Sequence, residues 1–268
     1  KRAITSLTSP FDTIDSFTPS FEIPDKSDWF NGILDWEGVR DYSLFQFDAT
    51  LQGHSIIAFS YKFTPWNTMT KLRERSIDLS DAIVENYLSI GDANDNPIDL
   101  DRYKIGTLKF RGVIFDLDTF VMKLGVSDKT GFKKYLKTNG GVRVFRDKLR
   151  VYDYGEPEND WLSLDYRRFQ QPAKAISNNL LVAAIDLNRD ESSDLEEKTN
   201  REGFVSNDAY NAFKNAILHI VDLVEILRQT DKKKLKEIYG ATPKTEPVMS
   251  LLGEAQRYVD DKIADNEV

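Results

Sequence analysis

From Ser206 onward the chain carries its longest helical period. Tyr210, Phe213, Ile217, Ile220, Val221, Val224 and Leu227 fall three and four residues apart, the spacing of a single helix face. Ser206 and Asn207 offer a cap at its start, and the basic run Lys232-Lys233-Lys234 follows its last apolar residue. An apolar stripe of that length has to be buried against another layer.

Strands that could form this layer are legible upstream. Leu44, Phe45, Phe47, Ala49 and Leu51 lead to a turn at Gln52-Gly53. Ile56 to Phe63 then follows, rich in β-branched and aromatic residues, so 42–63 is predicted to be a hairpin. Another strand is predicted over Ile105–Leu117, and a short helix over Gly131–Thr138. That helix is expected to exit through Asn139-Gly140-Gly141. Val142–Phe145 and Leu149–Tyr152, joined by Arg146-Asp147-Lys148, read as a second tight hairpin. The apolar run Leu180–Leu187 reads as a central strand. Ser193 with Glu196 three residues on predicts a capping box and a short helix. Residues 155–179 read as irregular. This order of strands and helices predicts an α+β fold, a layered sheet with packing helices.

Three segments follow. Residues 1–40 read as a connector, in which Lys1 to Phe11 is a short helical tail ending at Ser9-Pro10. The rest of it is rich in Pro, Asp and Ser, with Phe17, Phe21, Trp29, Phe30 and Trp36 available to pack on a neighbour. Residues 41–240 form the main domain, with an insertion at 65–101 that holds a helical stretch, Ser80–Ser89, and a turn-rich loop, Gly91–Pro97. Residues 241–268 read as a C-terminal helical segment, with a helix over Val248–Ile263.

Composition narrows the chemistry. Apolar residues make up 40% and charged residues 30% of the 268, the balance of a folded globular chain. With no cysteine, thiolate metal sites, disulfides and cysteine nucleophiles are excluded. His54 and His219 are the only histidines; neither has a visible partner base or nucleophile, and His219 beside the apolar stripe reads as a packed, hydrogen-bonded side chain. Asp92, Asp95, Asp99 and Asp101 lack the spacing of a calcium loop. No phosphate-binding glycine loop precedes a helix. The net charge of −8 speaks against a nucleic-acid surface. Only the ribbon of Arg143, Arg146, Lys148 and Arg150, and Lys232 to Lys236, remain as footholds for one. No apolar run reaches membrane length. The chain starts at Lys1, which reads as a cytosolic segment of a larger protein.

One polar link stands out. Lys198-Thr199-Asn200-Arg201-Glu202-Gly203-Phe204 places a Lys and an Arg just before the long helix. A cation held there can clamp a phosphate; the spacing alone favours the plainer reading, in which Arg201 and Glu202 are surface charges near a helix start.

This link belongs to an ordered set of blocks. Asn139-Gly140-Gly141-Val142-Arg143-Val144-Phe145-Arg146-Asp147, Val151-Tyr152-Asp153-Tyr154-Gly155-Glu156-Pro157, Asn159-Asp160-Trp161-Leu162 and the 198–204 link together resemble the region that follows the ATPase domain in bacterial Hsp90-like (GHKL-type) ATPases. The resemblance covers about residues 103–240, is weaker over 1–64, and does not extend to 65–101. It implies a transducer domain with the fold of ribosomal protein S5 domain 2. In that family ATP and Mg²⁺ are bound by an upstream domain, and the transducer supplies a cation to the γ-phosphate. The resemblance points to Arg201 first and Lys198 second, with Asn200 standing where the family's short element has Ser. It further implies that this chain alone binds no cofactor, that its partner is the upstream ATP-binding domain, and that the full-length protein is a cytoplasmic homodimer. Two other uses of the same fold are open. One is an interaction or dimerisation module, with Trp66, Trp161 and Tyr154 as contact residues; the other is a nucleic-acid-binding module.

Overall fold

Seven strands form one sheet, in the order β3-β2-β1-β4-β7-β5-β6. The computed structural model describes residues 9–11, 36–200 and 202–240. In chain order the elements are α1 (Trp36–Arg40), β1 (Phe45–Gln52), β2 (Ser55–Phe63), β3 (Arg75–Asp78), α2 (Ala82–Glu85), β4 (Leu108–Ile114), α3 (Thr119–Gly125) and α4 (Lys129–Asn139). There follow β5 (Gly141–Arg146), β6 (Leu149–Val151), α5 (Leu164–Gln170), β7 (Leu181–Leu187) and α6 (Asp208–Tyr239). The sheet is mixed: β5 and β7 run parallel and the other neighbours antiparallel. The fold is α+β.

The first hairpin forms as its sequence predicts, with one irregularity that explains its pattern. Thr50 pairs with Ala58, but Leu51 pairs with Ile56. The extra residue, Ile57, is a bulge, and it shifts the phase of the strand. Ile56 is buried on one side of it and Phe59, Tyr61 and Phe63 on the other, while Ile57 is exposed.

Each face of the sheet meets a different layer. On one face, Phe45, Phe47, Ala49 and Leu51 of β1, Phe110 and Ile114 of β4, and Ala183 and Ile185 of β7 share a core with α6. The predicted stripe on α6 is the part of that helix that enters the core: Phe213, Ile217, Ile220, Val221, Val224 and Leu227 are all buried. On the other face, Val113, Phe115 and Val182 pack with Met122 of α3, Phe132 and Leu136 of α4 and Val39 of α1. The order helix, sheet, helices follows from strands that are apolar on both sides in the centre of the sheet.

Several expectations change on contact with the fold. The Asn139-Gly140-Gly141 exit is not a left-handed cap, since Gly140 has φ −64°. What Gly140 supplies is clearance: a Cβ there would lie 2.6 Å from the Asn179 Cα and 2.7 Å from its carbonyl oxygen. The strand predicted to Leu117 ends at Ile114, and the sequence after it turns into the unexpected helix α3. The 155–179 stretch contains α5, whose first amides, Leu164 N–H and Asp165 N–H, donate to the Asp160 carboxylate at 2.8 Å each. In the 65–101 insertion only Ala82–Glu85 is α-helical, with the Asp81 side chain as cap. The insertion is built into the domain, supplying edge strand β3 and buried Met69, Val84, Ile90, Ile98 and Leu100.

The capping-box helix at Ser193 does not form either. The Ser193 hydroxyl bonds to Asp194; the Ser192 carbonyl accepts Leu195 N–H in a single turn at 3.2 Å, and the carbonyls of Ser192 and Leu195 both accept from the Arg146 guanidinium. The tail over 1–8, the connector over 12–35, the helix over 248–263 and Arg201 lie outside the described residues. Among the described residues no helix is long and apolar enough to cross a membrane.

Candidate functional site

The link before α6 folds back on itself as a small loop. Glu197 and Phe204 form an antiparallel bridge. Lys198 N–H donates to Gly203 O at 2.9 Å, and Val205 N–H to Glu196 O at 2.8 Å. The loop is stitched to the second hairpin by a parallel bridge between Tyr152 and Glu202, where Gly203 N–H donates to Tyr152 O. Gly203 takes φ +80°, and a Cβ there would sit 3.0 Å from the Tyr154 hydroxyl. The site therefore favours glycine twice, for its backbone angle and for the approach of the phenol.

Beneath the loop lies an aromatic anchor. The Tyr154 hydroxyl accepts the Phe204 N–H at 2.9 Å. Burial pushes this phenol well above its ordinary pKa, so it stays neutral. Trp161 packs against Tyr154 with ring centroids 4.7 Å apart and stacks on Phe213 of α6 at 5.6 Å, while its indole N–H donates to Val142 O at 3.0 Å. Phe204 meets Phe213 edge to face. One aromatic cluster thus joins the loop, the second hairpin and the first turns of α6.

A single guanidinium ties the loop's two arms. Arg146, 8% exposed at the end of β5, donates from Nε to Ser192 Oγ (3.0 Å) and from one terminal nitrogen to Glu197 Oε1 (3.0 Å). Its other terminal nitrogen reaches Ser192 O (2.5 Å) and Leu195 O (2.8 Å). Its Cζ lies over the Phe204 ring, 5.1 Å from the centroid. Arg189 also approaches Glu197 Oε1, at 3.4 Å.

The tip is polar and exposed. Lys198, Thr199, Asn200 and Glu202 are all solvent-accessible. Asn200 Oδ1 accepts the Glu202 N–H at 3.1 Å and Asn200 Nδ2 donates to Glu202 Oε2 at 2.8 Å, so the carboxamide ties residues 200 and 202 to each other. Lys198 has no ion-pair partner among the described residues. A loop of this kind can present an ammonium to an anion. It has no nucleophile with a base, and among the described residues no group of three or more His, Asp or Glu is placed to hold a metal.

The other sequence candidates resolve as structure. His219 Nε2 meets Tyr87 O at 2.8 Å and its Nδ1 accepts Gly91 N–H at 3.4 Å, a packed ring with a partner on each nitrogen. The basic ribbon is not a surface: Arg143 and Arg146 are buried, and Arg150 is paired with Glu156 at 2.7 Å. The strand that carries Arg143 and Arg146 is buried on both faces, which composition alone does not reveal. Lys232 is held by Asp116 (3.0 Å) and Asp118 (3.2 Å). Trp161 and Tyr154, expected as contact residues, are buried; they serve the anchor instead. Sequence reasoning gave Arg146 no part in the loop, although the aromatic density of 152–161 was a signal that something packs there. No protein-family model matches this chain, and no curated protein matches it.

Proposed function

We propose that this chain is the transducer domain of a GHKL-type, Hsp90-like ATPase, with an S5 domain 2-like sheet, acting in the cytosol as part of a homodimer. ATP and Mg²⁺ belong to an upstream domain. The loop over 198–204 brings a cation, Arg201 or Lys198, to the γ-phosphate, and α6 carries the resulting movement. The observation that supports this is the loop's build: an exposed polar tip on an anchored base, four residues from the start of a 32-residue helix.

The chemistry of the tip suits a phosphate oxygen. An ammonium or guanidinium donates to such an oxygen and stabilises the charge that develops on it during transfer. When the phosphate leaves, the contact is lost, and the two domain arrangements then differ in energy.

Arg201→Ala and Lys198→Ala, made separately in the full-length protein, test this. The variant lacking the contacting cation loses about 100-fold or more in kcat, the size of one removed charge-stabilising donor, while ATP affinity by calorimetry stays within a few-fold. Unchanged kcat in both variants ends the reading.

One observation favours the interaction module as second reading. Tyr166 and Phe169, one turn apart on α5, are 66% and 79% exposed, more than a folded surface normally grants two neighbouring aromatics.

A further inference from the structure

We infer that Arg146 is the positioning residue of Lys198 in the loop before α6: it sets the spacing of the loop's two arms and so fixes where the Lys198 ammonium stands. The inference uses the proposed function only for what the tip does. That Arg146 holds the tip is a property of this chain alone.

The geometry carries it. The root of Arg146 belongs to the sheet, because its Cα lies opposite Leu187 in the parallel pairing of β5 and β7. Its head spans the incoming arm at three residues, Ser192, Leu195 and Glu197. The central carbon of the same group stands over the Phe204 ring on the outgoing arm. Only a planar fork with donors on three nitrogens can serve three residues on one arm and an aromatic face on the other. Glu197 and Phe204 are also the bridge pair that closes the loop. The guanidinium therefore grips both members of the closing pair and references them to the sheet. Lys198 is the next residue after Glu197, with no side-chain tether of its own among the described residues, so its placement is inherited from that grip. Tyr154 fixes the outgoing arm at Phe204 and Gly203; Arg146 is what fixes the incoming arm against it.

Trypsin reads this directly, since Lys198–Thr199 is a potential cut inside the loop. Lys71–Leu72, by the edge strand at the opposite end of the sheet, reports on the rest of the domain. In Arg146→Gln, cutting at Lys198 relative to Lys71 rises about tenfold or more, the order expected for local opening when two or three net hydrogen bonds are lost. Glu197→Gln keeps an acceptor but loses the charge, and gives a smaller rise at the same bond. An unchanged ratio in both variants, or a rise equal at both bonds, overturns the inference, because the residue then stabilises the domain without positioning the loop. If Arg146→Gln fails to fold, Ser192→Ala takes its place in the same ratio. ATP turnover of the full-length Arg146→Gln protein is read separately. A fall in kcat with KM for ATP unchanged supports positioning of a group that acts on the reacting phosphate. A faster cut with turnover intact leaves the positioning in place and counts against the proposed function alone.

Discussion

The two halves of α6 sit on the same sheet by different physics. From Ala209 to Val224 the helix buries alanines, Phe213 and branched aliphatics against apolar strand residues. From Arg228 to Leu235 it buries charges. Asp231 accepts the Tyr61 hydroxyl at 2.9 Å and a two-pronged contact from Arg75 at 2.8 and 2.6 Å. Arg228, 1% exposed, lies over the Phe45 ring at 5.2 Å with its nearest carboxylate, Asp116, 3.8 Å away. Burial pushes its guanidinium below the ordinary arginine pKa, against the pull of Asp116. An apolar seat gains from every atom it hides, whereas a charged seat gains only where partners repay desolvation. The first half therefore anchors the helix beneath the loop; the second fixes its direction.

The largest effect should come from the apolar half. Phe213→Ala removes the ring between Trp161 and Phe204 and costs about 4 kcal/mol by urea unfolding, as expected for a buried aromatic truncated in a close-packed core. A loss under about 2 kcal/mol would mean that the cluster collapses around the gap. The charged half should split by residue. Asp231→Ala strands Tyr61 and Arg75 and costs about 3 kcal/mol. Arg228→Met keeps the contact with Phe45 and sheds a cation with poor partners, so stability stays within about 1 kcal/mol or rises. If both charged-half variants lose equally, Arg228 is a full member of the network and the two seats differ less than their geometry says.

The apolar half was the legible part. A three-and-four spacing names one helix face, and Tyr210 to Leu227 needed no partner to be read. Hairpins and the central strand 181–187 were legible for the same reason: local pattern and burial agree there. The charged half reads in the sequence as a solvated basic run, and nothing local tells Lys232 that Asp116 and Asp118 stand opposite. The loop shows the same division. Its Lys and Arg before a helix could be picked out, but the residue that sets its shape lies about 50 positions upstream, and Arg146 looked like one more charge on a basic ribbon. At Ser193, where local propensity assigns a helix, a single turn forms instead and its carbonyls are shared with a tertiary donor, Arg146.

Glu225 sits at the junction of the two seats and offers the smallest and most specific test. Its carboxylate accepts the Ile176 N–H at 2.8 Å and Arg167 at 3.1 Å. Even so, burial raises its pKa above the ordinary value of 4.5, outweighing that backbone bond and the Arg167 charge. A carboxyl with a raised folded pKa binds its proton more tightly in the native state than in the unfolded one. Its ionisation is therefore unfavourable to folding. The effect is absent below pH 4.5, grows as pH rises toward the folded value, and is complete above it. Asp78 and Asp92, whose pKa values are lowered by Ser80 and by Asn96 respectively, act with the opposite sign. For that reason the quantity to measure is the difference between wild type and Glu225→Gln across pH 4 to 8. Gln keeps an acceptor for Ile176 but cannot titrate, so the variant should gain on wild type as pH rises through this window. A difference that stays flat would mean that Arg167 and Ile176 offset the burial in full, making Glu225 part of a well-matched seat and moving the boundary between the two halves toward Arg228.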